Sequence, residues 1–140
     1  MIYIGIDPDT IKSGVAYYNN KDKSLELSNL SFFQLFDYLS WCMETKLEFK
    51  IFLEAGWFNK KSNWHDEKNG AYIASRIGAK TGANHETGKK IEEMLQYLSI
   101  PYELKIPKTS KVGSKYFTCL TGMKKSNQDQ RDAAMLVWGY

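Results

Sequence analysis

Ile2-Tyr3-Ile4-Gly5-Ile6-Asp7-Pro8 is an apolar run that closes on a carboxylate, and Phe49-Lys50-Ile51-Phe52-Leu53-Glu54 ends in the same way. Both runs carry the β-branched and aromatic residues of buried strands. An acid at the end of such a strand costs free energy to desolvate unless a cation or hydrogen bonds offset it. A further acidic pair, Asp129 and Asp132, opens the helical stretch that begins near Gln128. Two strand ends and a helix that each deliver carboxylates predict convergence on one cationic site.

Pro8, Asp9 and the Ser13-Gly14 pair punctuate a turn before a second strand, Val15 to Tyr18, and Asn19-Asn20-Lys21-Asp22 turns the chain into a third, Leu25 to Leu30. Ser31 and Gln34 form a capping-box pattern, after which Phe32, Leu35, Phe36, Leu39, Cys42 and Met43 recur at helical spacing to about Lys46. The meander leaves strand three parallel to strand one, so a right-handed crossover through this helix sets Phe49 to Glu54 in parallel beside strand one. Asp7 and Glu54 are then expected at the same sheet edge. Residues 57 to 69 have no periodicity and read as an exposed loop, and a helical region follows from about Gly70 to Leu98, with a break expected near Gly88. A last strand, Tyr102 to Ile106, stops at Pro107, and a short helix around Lys115 to Leu120 leads through Gly122 to the helix from Gln128. The order βββαβαβαα predicts one α/β domain with a mixed central sheet.

The composition fits a single globular domain of 140 residues, 43% apolar and 25% charged. No apolar stretch approaches the roughly 20 residues that span a bilayer, and the opening residues enter a strand instead of a basic leader. A cytoplasmic protein with no membrane contact is the expectation. Cys42 and Cys119 sit in apolar segments without CxxC or Cys/His spacing and read as two reduced core thiols. The net charge of +3 understates the basic character, because the four candidate ligands are acidic. Leu104 to Gln128 holds Lys105, Lys108, Lys111, Lys115, Lys124 and Lys125 with no Asp or Glu. A second basic group, Lys60, Lys61, Lys68, Arg76, Lys80, Lys89 and Lys90, follows Glu54. Such clusters around an acidic centre suit a polyanionic substrate, although a lone surface lysine is ordinarily just solvated.

Four segments, taken in order, are informative together: Ile4-Gly5-Ile6-Asp7-Pro8 with Ser13-Gly14, Leu53-Glu54-Ala55-Gly56-Trp57, Gly78-Ala79-Lys80-Thr81-Gly82, and Asp129-Gln130-Arg131-Asp132-Ala133-Ala134. With their spacing, the chain resembles the RuvC-type Holliday junction resolvases of the ribonuclease H-like superfamily over nearly its whole length, and most of all the short phage-like forms. The resemblance implies a ribonuclease H-like fold with a mixed five-stranded sheet and a homodimer that resolves four-way DNA junctions by paired nicks. It places metal ligands on Asp7, Glu54, Asp129 and Asp132, catalytic lysines on Lys111 and Lys115, and a base-stacking aromatic on Trp57. Two departures stand out: Asp9 occupies a position where the family usually has glycine, and the stretch Lys108 to Gly122 is compressed.

The chemistry can also be argued from the residues. Hydrolysis of a phosphodiester needs an activated water and a stabilised leaving oxygen, which two Mg²⁺ ions supply. Hard oxygen ligands select Mg²⁺ or Mn²⁺, and the absence of Cys and His at these positions argues against zinc. Asp7 is placed to bridge both ions, with Glu54 on one and Asp129 and Asp132, at i and i+3 of a helix, on the other. Asp129 reads equally well as an acid favoured by a helix N-terminus. Lys111 and Lys115 are candidates for the scissile phosphate, and Lys60, Lys61, Lys80 and Lys108 for the DNA backbone. Trp57 and Phe58 open the basic loop and suit stacking on unpaired bases; the alternative for Trp57 is a lid on the core. His65 and His85 have no implied carboxylate partner and receive no catalytic part. Ala74, Gly78 and Gly82 form a small-residue stripe open to a partner helix or to the chain's own sheet. Rival functions are a nuclease acting on RNA/DNA hybrids or general branched DNA, an actin-like phosphate-binding ATPase sharing the Gly5-Ile6-Asp7 loop, and a junction-binding protein without catalysis.

Overall fold

Alternation along the first strand assigns its residues to two faces. In the computed structural model, which describes residues 1–59 and 70–140, β1 (Ile2–Asp7) turns Ile2, Ile4 and Ile6 to one core and Tyr3 and Gly5 to the other. It pairs antiparallel with β2 (Ser13–Asn19) and parallel with β4 (Phe49–Glu54). The outer strands are β3 (Ser24–Leu30) and β5 (Tyr102–Lys105), giving the sheet order β3-β2-β1-β4-β5 with β2 alone antiparallel to the rest. This is the mixed five-stranded sheet expected from the sequence. Ile6 pairs with Leu53, so Asp7 and Glu54 close adjacent parallel strands.

Helix α1 (Phe32–Glu44) begins with the expected capping box: Ser31 Oγ accepts from the Gln34 backbone N–H at 3.3 Å, and Gln34 Oε1 accepts from the Ser31 N–H at 2.9 Å. Leu35, Leu39 and Cys42 pack on the Ile2-Ile4-Ile6 face together with Ile91 and Leu95 of α2 (Gly70–Tyr97). The expected break near Gly88 does not occur. The helix runs through that residue, whose missing side chain makes room for the Trp57 ring; a Cβ there would lie 2.5 Å from Trp57 Cζ3. Among the described residues no helix is long and apolar enough to cross a membrane.

The opposite face is covered by α3 (Ser114–Thr121) and α4 (Gln128–Met135), which bury Phe117, Ala133 and Ala134 against Ala16, Tyr18 and Phe52. One expectation for this layer fails: Cys119 is exposed, whereas Cys42 is buried, and both are free thiols. The short α3 buries only Phe117, and a residue two positions on lies on nearly the opposite side of a helix. The expected loop from residue 57 also begins differently, since Gly56–Phe58 is one turn of 3-10 helix. Lys60, Lys61, Trp64, His65 and Lys68 lie outside the described residues.

Helix α4 sits on the sheet with almost no spacing. A Cβ on Gly5 would lie 2.0 Å from the Ala133 carbonyl oxygen, and one on Gly14 would lie 2.1 Å from the Asp129 carbonyl oxygen. Backbone cannot yield as a flexible side chain does. Gly14→Ala is therefore expected to destabilise the protein by about 2–4 kcal/mol, read by equilibrium urea unfolding; a wild-type midpoint would show that α4 is not seated there.

Candidate metal centre and flanking clefts

Alternation places Asp7 on the same face as Tyr3 and Gly5, and Glu54 on the same face as Phe52, which is the face that α4 covers. Helix α4 starts at a second capping box, in which Asn127 Oδ1 accepts from the Gln130 N–H at 2.9 Å and Gln130 Oε1 accepts from the Asn127 N–H at 3.0 Å. Its first turns bring Asp129 and Asp132 to the carboxyl edge of β1 and β4. All four carboxylates fall within one electrostatic neighbourhood. Burial, reinforced by the charges of Glu54, Asp132 and Asp129, pushes the Asp7 carboxyl up to about 8. Burial and the same neighbours also raise Glu54, and burial together with Asp9 and Asp132 raises Asp129.

Lys111 is the cation set among them. Its ammonium pairs with Asp132 Oδ2. Partial desolvation opposes the lysine charge but is outweighed by the hydrogen bond to Asp132 and by the charges of Asp132, Asp7 and Glu54, so its pKa rises. The other Asp132 oxygen, Oδ1, accepts from Gln128 Nε2 at 2.7 Å. Gln128 Oε1 in turn accepts from Arg131, a 9% exposed residue whose guanidinium also donates to Ser126 O and, at 3.0 Å, to Val112 O. Arg131 thus ties α4 to the loop that carries Lys111. Sequence reading assigned no part to Arg131 or Gln128; both lie within or beside the Asp129–Ala134 segment, but a buried arginine is recognisable only from its partners.

The carboxyl edge opens into a cleft of about 290 Å³ lined by Asp7, Glu54, Asp129 and Lys111 on one side and by Thr81, Asn84 and His85 of α2 on another. Asn84 Oδ1 accepts from both the N–H and the hydroxyl of Thr10, at 3.1 and 2.8 Å, fixing α2 to the β1–β2 loop. His85 borders the cleft and presses its ring on Gly56, where a Cβ would lie 2.9 Å from Nε2. The sequence reading left His85 without a role because no carboxylate partner was implied, and its neighbour Gly56 lies on another element. A signal was nevertheless present: Thr81, Asn84, His85 and Gly88 share one helical face. Asp9, the departure in the β1–β2 loop, shapes that turn: its Oδ2 accepts from the N–H groups of Ile11 and Lys12 at 3.1 and 3.4 Å.

The remaining candidates are dispersed. Trp57 is half-buried on Gly88 at the rim of the core and also lines the cleft, so its two readings coincide in one position. Phe58 packs beside it, ring centroids 5.6 Å apart, and is 51% exposed. Lys108 lines a second cleft, Lys80 lines a shallow hollow on α2, and Lys115 is exposed on α3 and borders none of these clefts. On α2, no described atom beyond the helix's own backbone and the adjoining residues lies within 4 Å of where a Cβ on Gly78 or Gly82 would be, so these two glycines do not pack on the chain's own sheet.

Among the described residues no three acidic, histidine or cysteine side chains are drawn into a closed ligating cluster. The donor chemistry nevertheless fits a hard divalent cation: Asp7, Glu54 and Asp129 line one cleft with Lys111, Asp132 pairs with that lysine, and every acid offers oxygen ligands. No protein-family model and no curated protein matches the chain. Among solved structures, T. thermophilus RuvC in complex with a Holliday junction substrate is similar at 14% identity, over 97% of this chain and 89% of that one, with a TM-score of 0.49.

The raised Asp7 carboxyl has a thermodynamic consequence. Between the unfolded pKa of 3.8 and the folded value of about 8, the native state holds a proton that the unfolded chain has released. Stability therefore falls as pH rises through that window. Without divalent metal, Asp7→Asn is expected to flatten this fall and raise stability at pH 8 by roughly 1–3 kcal/mol; a variant no more stable than wild type at pH 8 would contradict the crowding of these acids.

Proposed function

We propose that the protein is a magnesium-dependent, structure-selective endodeoxyribonuclease that resolves four-way DNA junctions by paired nicks. The observation that carries this reading is that Asp7, Glu54, Asp129 and Asp132 share one electrostatic neighbourhood with Lys111 at the carboxyl edge of the sheet, the crevice where open α/β sheets bind ligands. Asp7 would be shared between two ions, Glu54 would hold one, and Asp129 and Asp132 the other. When bound, such a pair makes water nucleophilic at neutral pH and stabilises the leaving 3′-oxygen. Lys111 adds positive charge at the scissile phosphate, and Arg131 and Gln128 hold Asp132 and the lysine loop in register. Trp57, which lines the cleft, and the exposed Phe58 beside it present rings for stacking on an unpaired base.

The assay offers purified protein a four-way junction, a flap, a duplex and an RNA/DNA hybrid, with magnesium or chelator. Symmetric nicks on the junction, lost with chelator, are the expected result, while preference for the hybrid would move the protein to the other nuclease class. Asp7→Asn, Glu54→Gln and Asp132→Asn should each lower cleavage at least about 10²-fold while leaving junction binding intact and salt-sensitive. Full activity in folded Asp132→Asn would sink the assigned metal centre.

Paired nicking calls for two sites, and one domain holds one, so the reading includes a two-fold homodimer. The open positions at Gly78 and Gly82, on a helix that also exposes Tyr72 at 73% and Ile73 at 48%, support α2 as the interface. Sedimentation should give a dimer for wild type and a monomer for Gly78→Leu or Gly82→Leu; a wild-type monomer both free and on a junction would remove the dimer from the proposal.

A further inference from the structure

A second cleft, of about 520 Å³, lies on the far side of the acidic centre. It shares Glu54, Pro107 and Lys111 with the first, and Asp132 stands in its wall, so the two clefts meet at the lysine–carboxylate pair. Its lining changes character away from that junction. Ile106 and Tyr116 are 65% and 63% exposed there, Met135 and Trp138 contribute further apolar surface, and Lys105 and Lys108 stand at the rim. Nothing in the motif reading assigns a role to Tyr116 or Trp138.

The occupant follows from charge and shape. An exposed ring and an aliphatic wall favour a flat apolar body, while Lys105, Lys108 and Lys111 in the lining, the first paired with Glu103 and the last with Asp132, favour a phosphate-linked one. The volume falls in the range of roughly 300 to 1,000 Å³ that holds small-molecule ligands, enough for one nucleotide. Glu54 and Asp132 repel a bare phosphate from the inner wall, so the phosphate is directed to Lys108 and the base is left to the ring. We propose that this cleft is a base-binding subsite, in which Tyr116 stacks on a nucleobase of the cut DNA strand next to the phosphate held at the acidic centre. This rests on the nuclease reading, and it places the strand across both clefts, gripped on each side of the scissile bond by an aromatic residue.

The test uses the fluorescent base 2-aminopurine, whose emission falls on stacking, placed in turn at each nucleotide around a junction's exchange point and in a single-stranded oligonucleotide. The Asp7→Asn background with magnesium keeps the strand uncut. Quenching at one position is expected, with Tyr116→Ala abolishing it and weakening binding roughly tenfold, Tyr116→Phe restoring both, and Tyr97→Ala, another exposed tyrosine, changing neither. Tyr116 is exposed, so the variants should fold, which circular dichroism checks. Quenching that survives Tyr116→Ala, or none at any position, overturns the subsite even when the wild-type enzyme cuts junctions. Conversely, Tyr116-dependent quenching in a protein that cuts nothing supports the subsite and overturns the nuclease reading.

Discussion

The direct seating of α4 on the backbone of β1 and β2 is the constraint on which the rest of the site depends. Helix and sheet ordinarily keep a layer of side chains between them. Here Gly5 and Gly14 remove that layer, and the carbonyls of Ala133 and Asp129 occupy the space their Cβ atoms would take. Only this approach brings Asp129 and Asp132 level with the ends of β1 and β4. The glycines, small in themselves, set the position of half the acidic centre.

Close approach creates a second problem, the concentration of negative charge. Burial and the neighbouring negative charges raise the pKa of Asp7, Glu54 and Asp129, and Asp7, with three acids around it, takes the largest shift. The fold sets one lysine against these acids and orders its loop with a buried arginine. Lys111 pairs with Asp132, while Arg131 spends its donors on backbone and amide oxygens and so orders the loop carrying Lys111 without entering the cleft. That division leaves the cleft itself short of positive charge, which is the electrostatic condition for binding cations from solution.

Helix α2 shows how one element can serve two surfaces. Its Thr81-Asn84-His85-Gly88 face closes the first cleft and receives Trp57, and its Gly78 and Gly82 positions stand open. The α3–α4 layer does the same on the other side, burying Phe117 beneath the sheet while Tyr116, the neighbouring residue, turns into the second cleft. The acidic centre therefore stands between two walls supplied by different layers, joined at Lys111 and Glu54.

Much of this was legible in the chain. The strands at Ile2–Asp7 and Phe49–Glu54, the Ser31 capping box, the crossover and the order of elements follow from alternation, capping chemistry and connection handedness, all local or near-local rules. The same alternation delivers Asp7 and Glu54 to one face and one edge. What only the tertiary structure decided involves contacts between segments distant in sequence. Gly88 reads as a helix break until the Trp57 ring is found on it, Cys119 reads as core until α3 proves to bury only Phe117, and Lys115 reads like Lys111 until one faces Asp132 and the other solvent. His85, Arg131 and Tyr116 acquire meaning from partners on other elements, and no periodicity within a segment encodes which distant surface that segment will meet.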